Sequence, residues 1–215
     1  MSAKWGNIPS WAYDSAKALM QTLKIVDPET YAHCCRVGEM SRKLARDAGL
    51  NEYEQKLAEF AGLFHDIGKM GVSQSIIAKP GKLDPQEQAI MRSHPVMSED
   101  IVQPLASHKF FGTILPAIRG HHERVDGTGY PDKIAGDKID ILARVILVVD
   151  TYDAMSQTRA YRKGLPDEVV YEELVRCSGT QFDSQLVKIF LQAHPHWADQ
   201  QNDQETEHLL IKKIA

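Results

Sequence analysis

The sequence predicts an all-α protein, a compact helical bundle, on three observations. Apolar residues recur at three- and four-residue spacing along most of the chain, capping signals stand in front of these stretches, and a single segment carries a β-branched run. With 215 residues and 43% apolar content, there is material for one domain with a real core, plus a short appendage.

Taken in order, Ser10 reads as the cap of a helix with Ala12, Ala16, Leu19, Met20 and Leu23 at helical spacing. Asp27 followed by Pro28 supplies a cap and a proline at the first helical position, and this second helix is expected to run to about Gly49. Asn51 with Glu54 resembles a capping box. The helix behind it carries Leu57, Ala58, Ala61 and Phe64 on one face and should end near His65. Lys79-Pro80-Gly81-Lys82 is a turn. Asp84-Pro85 with Glu87 opens another helix, which Pro95 bends or restarts just after His94. Two glycines and a proline between Asp126 and Pro131 mark a loop suited to binding. From Ile139 to Asp153 the run containing Val145, Ile146, Val148 and Val149 has strand propensity. Its length and the absence of a partner strand signal elsewhere, together with the helical fold that a family resemblance implies, make it a helix in this reading. Asp167 and Asp183 are further candidate caps. Beyond Pro195 the chain turns polar and reads as a poorly packed tail.

Composition excludes several functions. The formal net charge is -4 and no block of Lys or Arg forms a footprint for a polyanion, so a nucleic acid polymer is not an expected partner. Met1 to Pro9 lacks the pattern of a signal peptide, and no apolar stretch approaches the roughly 20 residues that a bilayer span needs. The expectation is a cytoplasmic chain without membrane insertion. Three cysteines, two of them the neighbours Cys34 and Cys35, make neither a disulfide framework nor a Cys-x-x-Cys pair and are read as packing residues.

The chemistry lies in histidine and carboxylate. His33, His65, His94, His121 and His122 fall at or near predicted helix ends or faces, Asp66 follows one of them, and Glu29 precedes another by one helical turn. Imidazole and carboxylate donors without thiolate suit manganese, iron or zinc acting as Lewis acids. Each residue alone is weak evidence, because a lone His on a helix is more often hydrogen-bonded or exposed than metal-bound. The combination and its order carry the argument.

His65-Asp66-Ile67-Gly68-Lys69 resembles the signature of the HD superfamily of metal phosphohydrolases, and His121-His122-Glu123-Arg124-Val125-Asp126-Gly127-Thr128-Gly129-Tyr130-Pro131 matches the extended HD-GYP motif. Lys79 to Leu83, Met91 to His94, Asp150 to Met155, Arg159 to Arg162 and Gly179 to Asp183 follow in the family's order, so the likeness covers roughly residues 27 to 193. The chain departs from the pattern at Ser73-Gln74 and Ser98, none of them an expected ligand. The resemblance implies a helical bundle of the HD-domain type around a central multinuclear metal site, with an amino-terminal helical extension packed on the core over 1–26, the catalytic domain over 27–195 and a tail over 196–215.

It also implies roles. Asp66 would bridge two metals, with His33, His65, His94, His121, His122 and Asp150 completing their shells and Glu29 helping to hold a third. The cofactors would be two or three divalent transition-metal ions, iron or manganese. Asp66 and Lys69 would be catalytic, and Lys69, Gly129, Tyr130, Asp153, Arg159 and Arg162 would face the substrate, with Asp153 also read as support for the metal site. The implied activity is hydrolysis of cyclic di-GMP to the linear dinucleotide pGpG and onward to GMP. Three alternatives stand beside these roles: Lys69 as a residue closing a helix, Asp150 and Asp153 as caps or partners of Arg144 or Arg159, and the glycine loop as a turn that orders His121 and His122. Hydrolysis of another nucleotide, or a module signalling by protein contacts, are the other functional readings. Regulation is expected from a protein partner, or from a longer chain of which this is a piece.

Overall fold

The computed structural model describes residues 10–158 and 163–198. Within them the chain forms α1 (Ser10–Val26), α2 (Pro28–Asp47), α3 (Glu52–Phe64), α4 (Gln74–Ile77), α5 (Pro85–Met91), α6 (His94–Val102), α7 (Lys109–Gly120), α8 (Ile141–Ser156), α9 (Asp167–Arg176) and α10 (Ser184–Ala193). Extended pairing among the described residues is limited to one isolated bridge, Ser178 with Phe182. No helix there is long and apolar enough to cross a membrane.

The capping signals at Asp27, Asn51, Asp84 and Asp183 act where the sequence places them. The Asp27 side chain accepts from the Thr30 amide and Pro28 opens α2. Asn51–Glu54 and Asp84–Glu87 both close reciprocal capping boxes. Asp183 caps α10 by accepting from Gln185 and Leu186. Asp167 is a correction: it is the first residue of α9 rather than its cap, and its carboxylate accepts the Tyr152 hydroxyl at 2.7 Å. Pro95 restarts the chain as expected, with α5 ending at Met91 and α6 beginning at His94.

The β-branched segment is helix α8, and the reason is burial on nearly all sides. Val145, Ile146, Leu147, Val148 and Val149 are all buried, and α8 packs against α2, α3, α7, α9 and α10. A helix at the centre of a bundle needs an apolar surface all round, which outweighs the small propensity cost of Val and Ile. α1 joins the same core through Ala16, Met20 and Leu23. The tail reading does not hold for Trp197, which is 4% exposed and donates its indole N–H to Asp47 at 2.7 Å. The remainder of that segment, from 199, lies outside the described residues.

Two glycine contacts set the helix spacing that the site requires. α2 and α3 cross where Gly38 meets Gly62, and a Cβ on Gly62 would lie 2.8 Å from the Gly38 Cα. Gly68, in the 3-10 turn Ile67–Gly71 after α3, has no room for a Cβ against the His94 carbonyl and donates its amide to the Ser98 hydroxyl at 2.8 Å. Ser98, a departure from the family pattern, is thus the residue that ties the turn to α6. Replacing Gly62 by Ala should destabilise the fold by about 1–3 kcal/mol through overpacking of the α2–α3 crossing. Urea denaturation of the variant against the parent chain checks this, and an unchanged midpoint would contradict it.

Candidate metal centre

The ends of helices aim the imidazoles. His65 ends α3, His121 ends α7 and His94 follows the last turn of α5; each brings Nδ1 to 2.7 Å from the carbonyl three residues earlier, that of Gly62, Ile118 and Met91 respectively. Helix carboxyl ends leave such carbonyls without intrahelical partners. A carbonyl only accepts, so Nδ1 carries a proton there and Nε2 is turned toward the centre. His33, on α2, directs its Nδ1 at the Asp153 carboxylate instead, at 2.7 Å.

The Nε2 atoms converge on Asp66, which is 1% exposed. Its Oδ2 lies 3.4 Å from His33 Nε2 and 3.5 Å from His65 Nε2, while its Oδ1 lies 3.0 Å from His94 Nε2 and 4.0 Å from His121 Nε2. One carboxylate therefore faces two sets of donors, His33 and His65 on one side and His94, His121 and His122 on the other. Within each set, counting Asp66 with the first, the donor atoms lie within 4.8 Å of one another. Asp150 joins the first side, with Oδ1 3.0 Å from His33 Nε2 and 3.8 Å from His65 Nε2. His33 Nε2, His65 Nε2 and Asp66 Oδ1 are buried without a hydrogen-bond partner. Ring nitrogens and carboxylate oxygens buried this close together are costly unless protons or cations lie between them, and a donor set of imidazole and carboxylate fits divalent ions.

Electrostatics agree with a cation site. Burial holds His121 well below the usual imidazole range, and the neighbouring His122 and His65 add to this. His122 is lowered to about 3, again by burial first. Burial opposes the charged form of Asp66, yet Lys69, His65 and His94 hold its pKa well below the usual carboxylate range. Burial also opposes a charged His33, but its contacts with Asp150, Asp153 and Asp66 raise it to about 10.

The other expected residues fall into place around this centre. Lys69 sits in the 3-10 turn with Nζ 2.5 Å from Asp66 Oδ2. It lines a cleft of about 640 Å³ together with His33, Arg36, Lys79, Leu83 and Met91. Glu29 is exposed and lines the same cleft one turn before His33, outside both donor sets. Asp153 is buried and both its oxygens are taken, by His33 and by Arg36, so it supports the centre and the reading of it as a substrate contact is corrected. Gly129 is buried, and a Cβ there would lie 2.5 Å from the Arg124 amide nitrogen, so only glycine fits at this point of the loop. Tyr130 stacks on His122 with ring centroids 4.7 Å apart, and the Arg92 guanidinium covers the Tyr130 ring at 5.2 Å. Arg159 and Arg162 lie outside the described residues. Arg144 pairs with Asp183 at 2.7 Å, which leaves Asp150 and Asp153 to His33.

Two residues were not singled out from sequence. Arg36 grips Asp153 through Nε at 2.6 Å and Nη2 at 2.8 Å, and its position three residues after His33 was the available signal. Glu123, directly after the histidine pair and 1% exposed, accepts from the Asp132 and Lys133 amides at 2.6 and 3.0 Å and so folds the loop back beneath His122.

The model of the HD domain family matches residues 17–186, beginning inside α1. The chain belongs to the HD domain family. Among curated HD relatives, a 3'3'-cGAMP-specific phosphodiesterase of Vibrio cholerae is 37% identical over 169 residues, 79% of this chain and 32% of that protein. A cyclic di-GMP phosphodiesterase of Thermotoga maritima is 32% identical over 185 residues, 85% of this chain and 50% of that protein. The chain thus spans about a third to a half of the length of these relatives. A crystal structure of a cyclic GMP-AMP specific phosphodiesterase from Vibrio cholerae superposes with a TM-score of 0.65 at 16% identity, covering 94% of this chain and 52% of that one, and shows the same HD fold.

Because His33 is held protonated by its carboxylates, ion binding at its side should displace a proton, and affinity should rise with pH up to about 10. Titration calorimetry in buffers of different ionisation enthalpy measures that release. Binding with no proton exchanged at pH 7 would contradict the charge state given to His33.

Proposed function

We propose that this chain is a metal-dependent phosphodiesterase of the HD-GYP type that linearises a cyclic dinucleotide, with cyclic di-GMP as its substrate. The observation that carries the reading is Asp66, one oxygen toward each of two imidazole sets, at the side of an open cleft. The first set with Asp150 and the second set would each hold an ion, iron or manganese, and Glu29 at the cleft would hold a third. Such ions supply Lewis acidity toward a phosphodiester and a nucleophile at neutral pH.

The chain's own groups do the rest. Lys69, in the cleft lining and beside Asp66, holds a phosphate oxygen and delivers a proton to the departing ribose oxygen. Arg159 and Arg162, from the sequence reading, grip the remaining phosphate oxygens with planar, permanently charged forks. Stacking of Tyr130 on His122 keeps that imidazole turned toward the centre. The apolar side chains of Ile76, Ile77, Leu83 and Met91 in the cleft offer a surface for a purine. A second reading, 3'3'-cGAMP as substrate, is favoured by the name of the Vibrio cholerae relative. Such a substrate pool and the absence of a membrane-crossing helix among the described residues agree with action in the cytoplasm, and a partner protein or further segments of a longer chain would regulate it.

Incubating the purified chain with manganese or ferrous ion and each cyclic dinucleotide, with products separated by chromatography, should yield the linear dinucleotide followed by mononucleotide. Asp66→Ala should lower the rate by at least about a thousandfold, the several kcal/mol that ions contribute to such a reaction. Hydrolysis that persists in Asp66→Ala, or a metal-loaded chain inert toward every cyclic dinucleotide, would defeat the proposal.

A further inference from the structure

The four imidazoles of the centre whose Nδ1 contacts are defined are not held alike. His65, His94 and His121 each donate to a backbone carbonyl three residues earlier, a partner that no side-chain substitution can remove. His33 donates to a side chain, Asp153, that arrives on a different helix 120 residues along the chain. Its orientation therefore depends on how that carboxylate is itself held. Asp153 is 1% exposed, and besides His33 its oxygens meet Arg36, through Nε at 2.6 Å on Oδ1 and Nη2 at 2.8 Å on Oδ2. This is the two-pronged geometry in which a guanidinium fixes the plane of a carboxylate. Arg36 and His33 are both on α2, one turn apart, so one helix supplies the donor and the clamp while α8 supplies the acid between them.

We infer that Arg36 is a positioning residue of the metal centre: by fixing the carboxylate plane of Asp153 it orients His33, and so sets ion affinity on the His33–His65 side without touching the His94–His121–His122 side. The inference rests on the reading of the site as a metal centre. Three consequences follow from the geometry. A carboxylate partner makes imidazole a more basic donor than a carbonyl does, so the His33 side is the one whose affinity a substitution outside the donor set can tune. The Asp153 carboxylate, once released from Arg36, can rotate and draw the His33 ring out of line with Asp66 and Asp150. Lysine at 36 keeps the charge but lacks the fork, so it restores only part of the effect.

The test is equilibrium dialysis of the full chain against Co²⁺, with bound metal counted per chain and the visible absorption recorded, on the parent protein, Arg36→Gln, Arg36→Lys, Asp153→Asn and the double variant Arg36→Gln with Asp153→Asn. The expected result is a dissociation constant raised about tenfold for one class of ion in Arg36→Gln, with the other class unchanged. Arg36→Lys should fall between, and the double variant should be no worse than Asp153→Asn alone, as two residues acting through one contact require. Unchanged Co²⁺ binding in Arg36→Gln overturns the inference. So does an equal loss at both classes accompanied by a lower melting temperature, which would make Arg36 a packing residue. A parent chain that binds no Co²⁺ overturns both this inference and the metal-centre reading beneath it.

Discussion

The carboxylate of Asp66 stands between two sets of imidazoles, and the rest of the fold can be understood as the means of keeping it there. Buried at 1% exposure, it lies against His33 and His65 through one oxygen and against His94 and His121 through the other. A buried carboxylate surrounded by imidazoles is expensive to keep unless protons or cations are shared between them. That cost constrains the architecture: helices α2, α3, α6, α7 and α8 must all end or pass within reach of one point, which requires the close Gly38–Gly62 crossing and the Ser98 tie to Gly68.

Helix ends perform most of the orientation. A helix carboxyl terminus leaves carbonyls without partners, and a histidine three residues on satisfies one of them with Nδ1 while turning Nε2 outward. The same local device thus meets a backbone requirement and produces a ligand. The second histidine of the pair, His122, is aligned by stacking against Tyr130, and the loop bearing Tyr130 is folded back by Glu123 through the Asp132 and Lys133 amides. The glycine-rich loop serves the centre by shape, since Gly129 is packed where no side chain fits.

How much was legible in advance differs by type of feature. Caps and helix starts at Asp27, Asn51, Asp84 and Asp183 were readable because capping is a contact within three residues of chain. α8 was harder, because β-branched residues have local strand preference and only burial from several directions makes them a central helix. Asp167 was misread as a cap because its real partner, the Tyr152 hydroxyl, is on another helix. The role of Asp153 shifted from ligand contact to support for the same reason: the groups its oxygens meet are a property of packing.

By itself, then, the chain's order of residues determined that the protein is helical and where several of its helices begin, since propensity and capping act over a few residues, while the grouping of histidines and carboxylates into one site came from the family resemblance. Only the tertiary structure decided that Asp66 divides its oxygens between two sets of imidazoles, that Arg36 and Asp153 brace His33, and that Trp197 is part of the core. Those outcomes depend on angles and distances between helices far apart in sequence, and such angles are fixed by the simultaneous packing of many side chains rather than by any local run.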